Sequence, residues 1–211
     1  MPKNRIEAIS DGVIAVAITL LVLNLEVPDP GSPVGLAQQL LALWPELLAY
    51  VISFLSIGII WINHHTMLRR LDAVDHSILI LNVMLLMCIV LLPFSTSLLA
   101  TYLDAPHGGR LAAAVYAGSF LLTSSVFLAM QHHVLTRRRQ LPGERHGDRE
   151  VRAILRRSAL AIPAYLLAGV ASLVSPYLTL AVCVAAGVFY LLRPPAERGR
   201  RGVAAARPEH S

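Results

Sequence analysis

The sequence predicts an all-α, polytopic membrane protein with six transmembrane helices and both termini in the cytoplasm, and three observations carry that expectation. Hydrophobic residues make up 55% of the 211 and charged residues only 15%, a balance that excludes a water-soluble globule. The chain holds six apolar runs, and at roughly 20 residues per crossing of a bilayer core about 30 Å thick they consume roughly 120 residues and leave short loops. If successive runs alternate in direction, 17 of the 18 Lys and Arg residues share one compartment and only Arg110 lies opposite. An odd number of spans would scramble that sorting.

The first run, residues 6–25, follows Lys3 and Arg5 and resembles a signal peptide only superficially. Ser10 and Asp11 interrupt it and no small-residue cleavage site follows Leu25, so it is kept as a mature helix. Pro28-Asp29-Pro30-Gly31-Ser32-Pro33 ends any helix, and residues 34–43 suit an interfacial turn before Trp44-Pro45 opens the second span, residues 43–62. The third and fourth spans cover residues 77–102 and 111–134, the fifth 158–174 and the sixth 177–192. Ser175-Pro176 joins the last two so tightly that they must be antiparallel neighbours. Residues 1–193 thus form one membrane domain, and residues 194–211, rich in Arg, Ala, Pro and Gly, are expected to be a disordered basic cytoplasmic tail.

The connections opposite the basic side carry Glu26, Asp29, Glu46 and Asp104. Cys88 and Cys183 lie inside apolar runs, where they read as small packing residues. There is no Gly-rich phosphate loop, and Arg137-Arg138-Arg139 sits beside a span, so it reads as a cluster facing lipid headgroups and not as a nucleic-acid site.

Within the first span the polar groups gather at the cytoplasmic end and then stop. At about 100° per residue, Ala8, Gly12, Ala15 and Thr19 share one narrow face whose small side chains permit close helix contact. Val16, Leu20 and Leu23, at i, i+4 and i+7, form a second stripe rotated by about 70°. Three aliphatic tiers either face lipid or core, or they surround an axis shared by several subunits and strip water from a passing ion. Asp11 lies about 150° from that stripe, which turns its carboxylate toward neighbouring helices instead. A carboxylate there needs donors, and Arg5 or the second span's Trp61, Asn63, His64 and His65 can supply them. Trp61 and His65 share a face at i, i+4, which predicts a polar knot between the first two spans.

Residues 5–23, opening Arg5-Ile6-Glu7-Ala8-Ile9-Ser10-Asp11, resemble the first helix of the bacterial transmembrane protein 175 family of potassium-permeable channels. The family signature is Arg, three variable residues, then Phe-Ser-Asp; Ile9 replaces the Phe and every polar group is kept. Ser53-Phe54 through Trp61-Ile62-Asn63-His64-His65 is similar to the family's second helix, and Asn82 with Pro93-Phe94 to its third. The resemblance implies a potassium-selective homotetramer in the cell membrane, its pore lined by the first helix, with potassium as the permeant ion and no cofactor or catalytic residue. It places the constriction at Val16, Leu20 and Leu23, and a structural network at Arg5, Ser10, Asp11, Trp61, His65 and Asn82. Thr19 either presents a hydroxyl layer to the pore or donates to the carbonyl of Ala15 in its own helix. The chain has no Thr-Val-Gly-Tyr-Gly loop, so selectivity falls to side-chain rings and dehydration.

Two other classes compete. A membrane-embedded metal protein would draw on His64, His65, His76, His132 and His133, but adjacent helical histidines point about 100° apart and no metal-binding spacing accompanies them. A secondary transporter would use helices interrupted at Pro93 and Pro163, yet no internal repeat is evident and no charge lies at a span centre.

Overall fold

A computed structural model describes residues 3–69, 71, 74–138 and 148–192. Its elements are α1 (Lys3–Leu20), a 3-10 turn (Leu21–Asn24), α2 (Leu36–Ala42), α3 (Trp44–Arg69), α4 (His76–Tyr102), α5 (Gly109–Arg138), α6 (Asp148–Ala159), α7 (Ala161–Ala171) and α8 (Pro176–Leu192). Among the described residues there is no strand, as the apolar runs require. Five stretches are long and apolar enough to cross a membrane: Asn4–Asn24, Trp44–Arg69, His76–Tyr102, Gly109–Thr136 and Val151–Ala171. The sixth, α8, is apolar but only 17 residues long. At 1.5 Å per residue it reaches about 26 Å, slightly less than the roughly 30 Å hydrocarbon core.

The boundaries depart from the sequence expectation in three places. α3 continues past residue 62 to Arg69, so that Asn63, His64 and His65 lie on the helix itself. Residues 34–43 contain the short helix α2, which buries none of its residues. The basic connection before the fifth span contains α6, a strongly amphipathic helix whose Val151, Ile154 and Leu155 recur at i, i+3 and i+4 between arginines. Pro163 accounts for the break between α6 and α7, because its ring excludes the carbonyl four residues back at Ala159. By contrast α4 continues through Pro93. The tail at 194–211 and Arg139 lie outside the described residues.

α4 is the centre of the bundle. It packs against α1, α3 and α5; α5 in turn packs on α7 and α8, and α8 returns to α3. Leu85, Ile89 and Leu92 of α4 are fully buried at this junction. A chain of hydroxyls crosses the α3, α4 and α5 seam. Thr96 donates to the Leu92 carbonyl at 2.8 Å, so it must accept from Ser53 at 2.8 Å, and Ser53 accepts from the buried Tyr116 hydroxyl at 3.1 Å. The Tyr116 ring meets Phe120 edge-on, and Phe120 stacks on Tyr165 of α7.

Each end of the bundle has its own tie. Asp75 caps α4, one carboxylate oxygen accepting the Ile78 N–H at 2.7 Å and the other lying 3.0 Å from Nε2 of His133 on α5. At the opposite end the Tyr177 hydroxyl of α8 donates to Asp104, and the Trp44 ring of α3 stacks on Tyr177.

Candidate functional site

α1 presents two unlike faces. Ile6, Ser10, Ile14, Ala17 and Leu21 recur at helical spacing, and all are buried where α1 packs against α3 and α4. Nearly opposite on the wheel stand Ala8, Gly12, Ala15 and Thr19, every one exposed. A Cβ placed on Gly12 would meet nothing within 4 Å. The small-residue stripe marked for close contact is therefore unpartnered among the described residues. Beside it lie Val16, Leu20 and Leu23, which are 57%, 40% and 73% exposed.

The upper end of α1 is wound more tightly than an unbroken α-helix. From Leu21 the chain makes a 3-10 turn, closed by the Leu25 N–H donating to the Val22 carbonyl at 3.1 Å. At about three residues per turn, Leu23 lies close to directly above Leu20 instead of about 60° around the helix. Asn24 pins this end to α4 by donating from Nδ2 to the Pro93 carbonyl at 3.2 Å. The Thr19 hydroxyl donates to the carbonyl of Val16 at 2.8 Å, one residue later than the Ala15 carbonyl the sequence pointed to. Its oxygen remains on the exposed face and retains acceptor capacity.

The polar end of α1 is fastened at two points. On the buried side Ser10 and Asn82 bond reciprocally, Asn82 Nδ2 donating to Ser10 Oγ at 3.0 Å and Ser10 donating to Asn82 Oδ1 at 3.3 Å. Oδ1 also lies 2.8 Å from His64 Nε2, and since Oδ1 can only accept, the imidazole carries its proton on Nε2. On the open side Trp61 Nε1 donates to Asp11 Oδ1 at 2.9 Å. The Trp61 ring stacks on His65, whose Nδ1 is 4.0 Å from Asp11 Oδ2. The indole is thus the principal donor to the carboxylate, and the partly exposed imidazole adds little.

Five of the six residues expected in the network are therefore joined in two groups, and Arg5 is the exception. Arg5 is exposed, and among the described residues it pairs with neither Asp11 nor Glu7. Six residues before Asp11, it stands about 120° from it around the helix. His64 takes the interior place instead, because it stands about 100° from His65 on the helix and so faces α4 when His65 faces α1. Trp61→Phe is expected to weaken the α1–α3 contact by about 0.6 kcal/mol, the typical value of one interhelical hydrogen bond in a membrane. A detergent unfolding titration would measure it.

Three of the histidines are held in separate pairs. His64 faces Asn82, His65 faces Asp11 and His133 faces Asp75. Among the described residues no three His, Cys, Asp or Glu side chains come together to hold a metal.

Sequence relatives share this architecture along nearly its whole length. A protein of Chamaesiphon minutus named as a potassium channel is 42% identical over 191 residues, which is 90% of this chain and 93% of the relative. The chain belongs to the TMEM175 family. Residues 5–93 match the family described as the endosomal/lysosomal potassium channel TMEM175, a segment that includes all but the first two residues of α1, the whole of α3 and every predicted site residue. A Streptomyces collinus protein, also named as a potassium channel, is 40% identical over 89% of this chain and 91% of its own length. The crystal structure of a lysosomal potassium-selective channel TMEM175 homolog from Chamaesiphon minutus superposes with a TM-score of 0.80 at 41% identity. That superposition covers 90% of this chain and 96% of the other. The two fastening points and the open face of α1 thus belong to a TMEM175 bundle.

Proposed function

We propose that this chain is a potassium-selective channel: a homotetramer whose α1 helices surround a central path, with Val16, Leu20 and Leu23 forming successive hydrophobic rings. What carries the reading is the open face of α1. A helix that met only lipid there would have no use for a stripe of Ala8, Gly12 and Ala15, whereas small side chains let a second helix approach closely. The small stripe would seat the neighbouring subunit's helix while the adjacent aliphatic stripe turns to the axis. The family's named potassium channels supply the permeant ion.

In this reading selectivity is a matter of dehydration. A ring of aliphatic side chains offers no ligand to replace water, so the ion whose hydration shell is held less strongly passes more readily, and potassium is favoured over sodium. Ser10, Asp11, Trp61, His65 and Asn82 act structurally, holding the rear of α1 so that its front keeps a fixed orientation. Asp11 is turned toward α3 and is not an ion ligand. Both termini and the basic connections lie in the cytoplasm, and six helices cross the cell membrane, α8 being the shortest.

Purified protein in a planar bilayer separates a channel from a carrier. Under a potassium gradient the expected result is a current whose reversal potential follows potassium and persists when sodium replaces potassium on one side only. Turnover limited to carrier rates would reject the proposal. Cross-linking in detergent should give a ladder ending at four subunits.

A further inference from the structure

A groove far from α1 has a chemistry of its own. It is an open groove of about 660 Å³ between α4, α5 and the bend joining α6 to α7, lined by Leu81, Leu128, His132, Leu155, Arg156 and Ile162 among others. That volume lies in the range of roughly 300–1,000 Å³ typical of sites for small molecules. Its two ends differ in character. Leu81, Leu128 and Ile162 line the part facing the apolar bundle, whereas His132, one turn beyond Leu128 on the same face of α5, stands with Arg156 at the basic end.

These two polar groups are uncommitted. His132 and Arg156 are exposed, and among the described residues neither makes a hydrogen bond or an ion pair. Their neighbour His133 is already held by Asp75, and the acid's other oxygen is taken by the α4 cap. α6 itself has the make-up of an interfacial helix, with arginines at 152, 156 and 157 beside an apolar stripe. It packs on α5 and α7, whereas α1 packs on α3 and α4, so the groove lies on a different flank from the candidate ion path.

We infer that this groove binds an anionic phospholipid, its phosphodiester held by Arg156 and His132 and one acyl chain laid along Leu128, Ile162 and Leu81. The guanidinium provides a paired donor edge for phosphate oxygens and the imidazole adds a third donor. The apolar wall of Leu128, Ile162 and Leu81 offers the surface an acyl chain needs. A soluble anion would use the charged rim and leave the wall unfilled; a zwitterionic lipid would fill the wall but bring its own cation against Arg156.

Lipid binding to the purified, delipidated protein can be counted by native mass spectrometry, a readout independent of whether α1 conducts. Phosphatidylglycerol is expected to bind about tenfold more tightly than phosphatidylcholine, about the effect of one to two basic contacts near a membrane surface. Arg156→Gln with His132→Gln should abolish that preference, and Arg156→Lys alone should keep most of it. If the double variant proves unstable, Leu128→Trp fills the apolar wall, leaves both donors in place, and should still weaken phosphatidylglycerol binding several-fold. Equal binding of the two lipids, an unchanged preference in the double variant, or displacement of phosphatidylglycerol by millimolar inorganic phosphate would overturn the inference.

Discussion

Leu20→Asn is expected to raise potassium conductance by roughly tenfold, equivalent to about 1.4 kcal/mol off the permeation barrier, while discrimination against sodium falls toward none. The argument rests on what the ring withholds. In the proposed pore Leu20 offers neither donor nor acceptor, so an ion crossing it sheds water without compensation. An amide at the same position, repeated around the axis, keeps water in the constriction and supplies carbonyl oxygens. Both ions then cross partly hydrated, and the difference in dehydration cost that separates them is lost. Leu23→Asn should act in the same direction and less strongly, since Leu23 lies farther toward the helix end and is the more exposed of the two in the isolated chain. Single-channel recording under bi-ionic conditions measures both quantities. Unchanged permeation with Leu20→Asn would mean that this face meets lipid and that α1 does not line the path.

Asn82→Leu should cost about 2 kcal/mol of stability and most of the assembled protein. Asn82 is buried and serves two partners from two different helices, donating to Ser10 on α1 and accepting from His64 on α3. Leucine is close in volume, so the loss is not a cavity. It is that Ser10 Oγ and His64 Nε2, both buried, are left with no partner and no room for water. The helix that slips is α1, because its remaining polar attachments are Asp11 to Trp61 on the open side and Asn24 to Pro93 at the far end. Asn82→Asp retains the acceptor and should lose less. The unfolding midpoint in detergent, together with the yield of oligomer on a sizing column, gives the measurement. An oligomer of normal stability from Asn82→Leu would show that packing alone holds α1 in place.

Parts of the site are legible because they depend on one helix at a time. The wheel separates Asp11 from the Val16, Leu20 and Leu23 stripe and pairs Trp61 with His65 whatever surrounds them, and the structure places the indole on the carboxylate accordingly. Other parts depend on a second element. Thr19 bonds to Val16 and not to Ala15, and the two carbonyls differ only in local helix geometry. The tightening after Leu20 accompanies a bond from Asn24 to Pro93, 69 residues away, which no local pattern encodes. Arg5 has the right charge to meet Asp11, but it stands about 120° from it around the helix and is exposed. α6 is a miss of a different kind: its Val151, Ile154 and Leu155 spacing was available to read, and the density of arginines hid it.

Sequence alone determined that this is an all-helical, multi-pass membrane protein and which stripes α1 carries. It could do so because hydropathy and helical phase are properties of residues at fixed spacing. Only the tertiary structure decided which of those stripes is buried. Ile6, Ser10, Ile14, Ala17 and Leu21 turn inward because α3 and α4 offer Asn82 and an apolar seam that match them, and that choice leaves the small and aliphatic stripes open. A helix fixes the angles between its faces but not its rotation about its own axis; that rotation is set by what the neighbouring helices can satisfy.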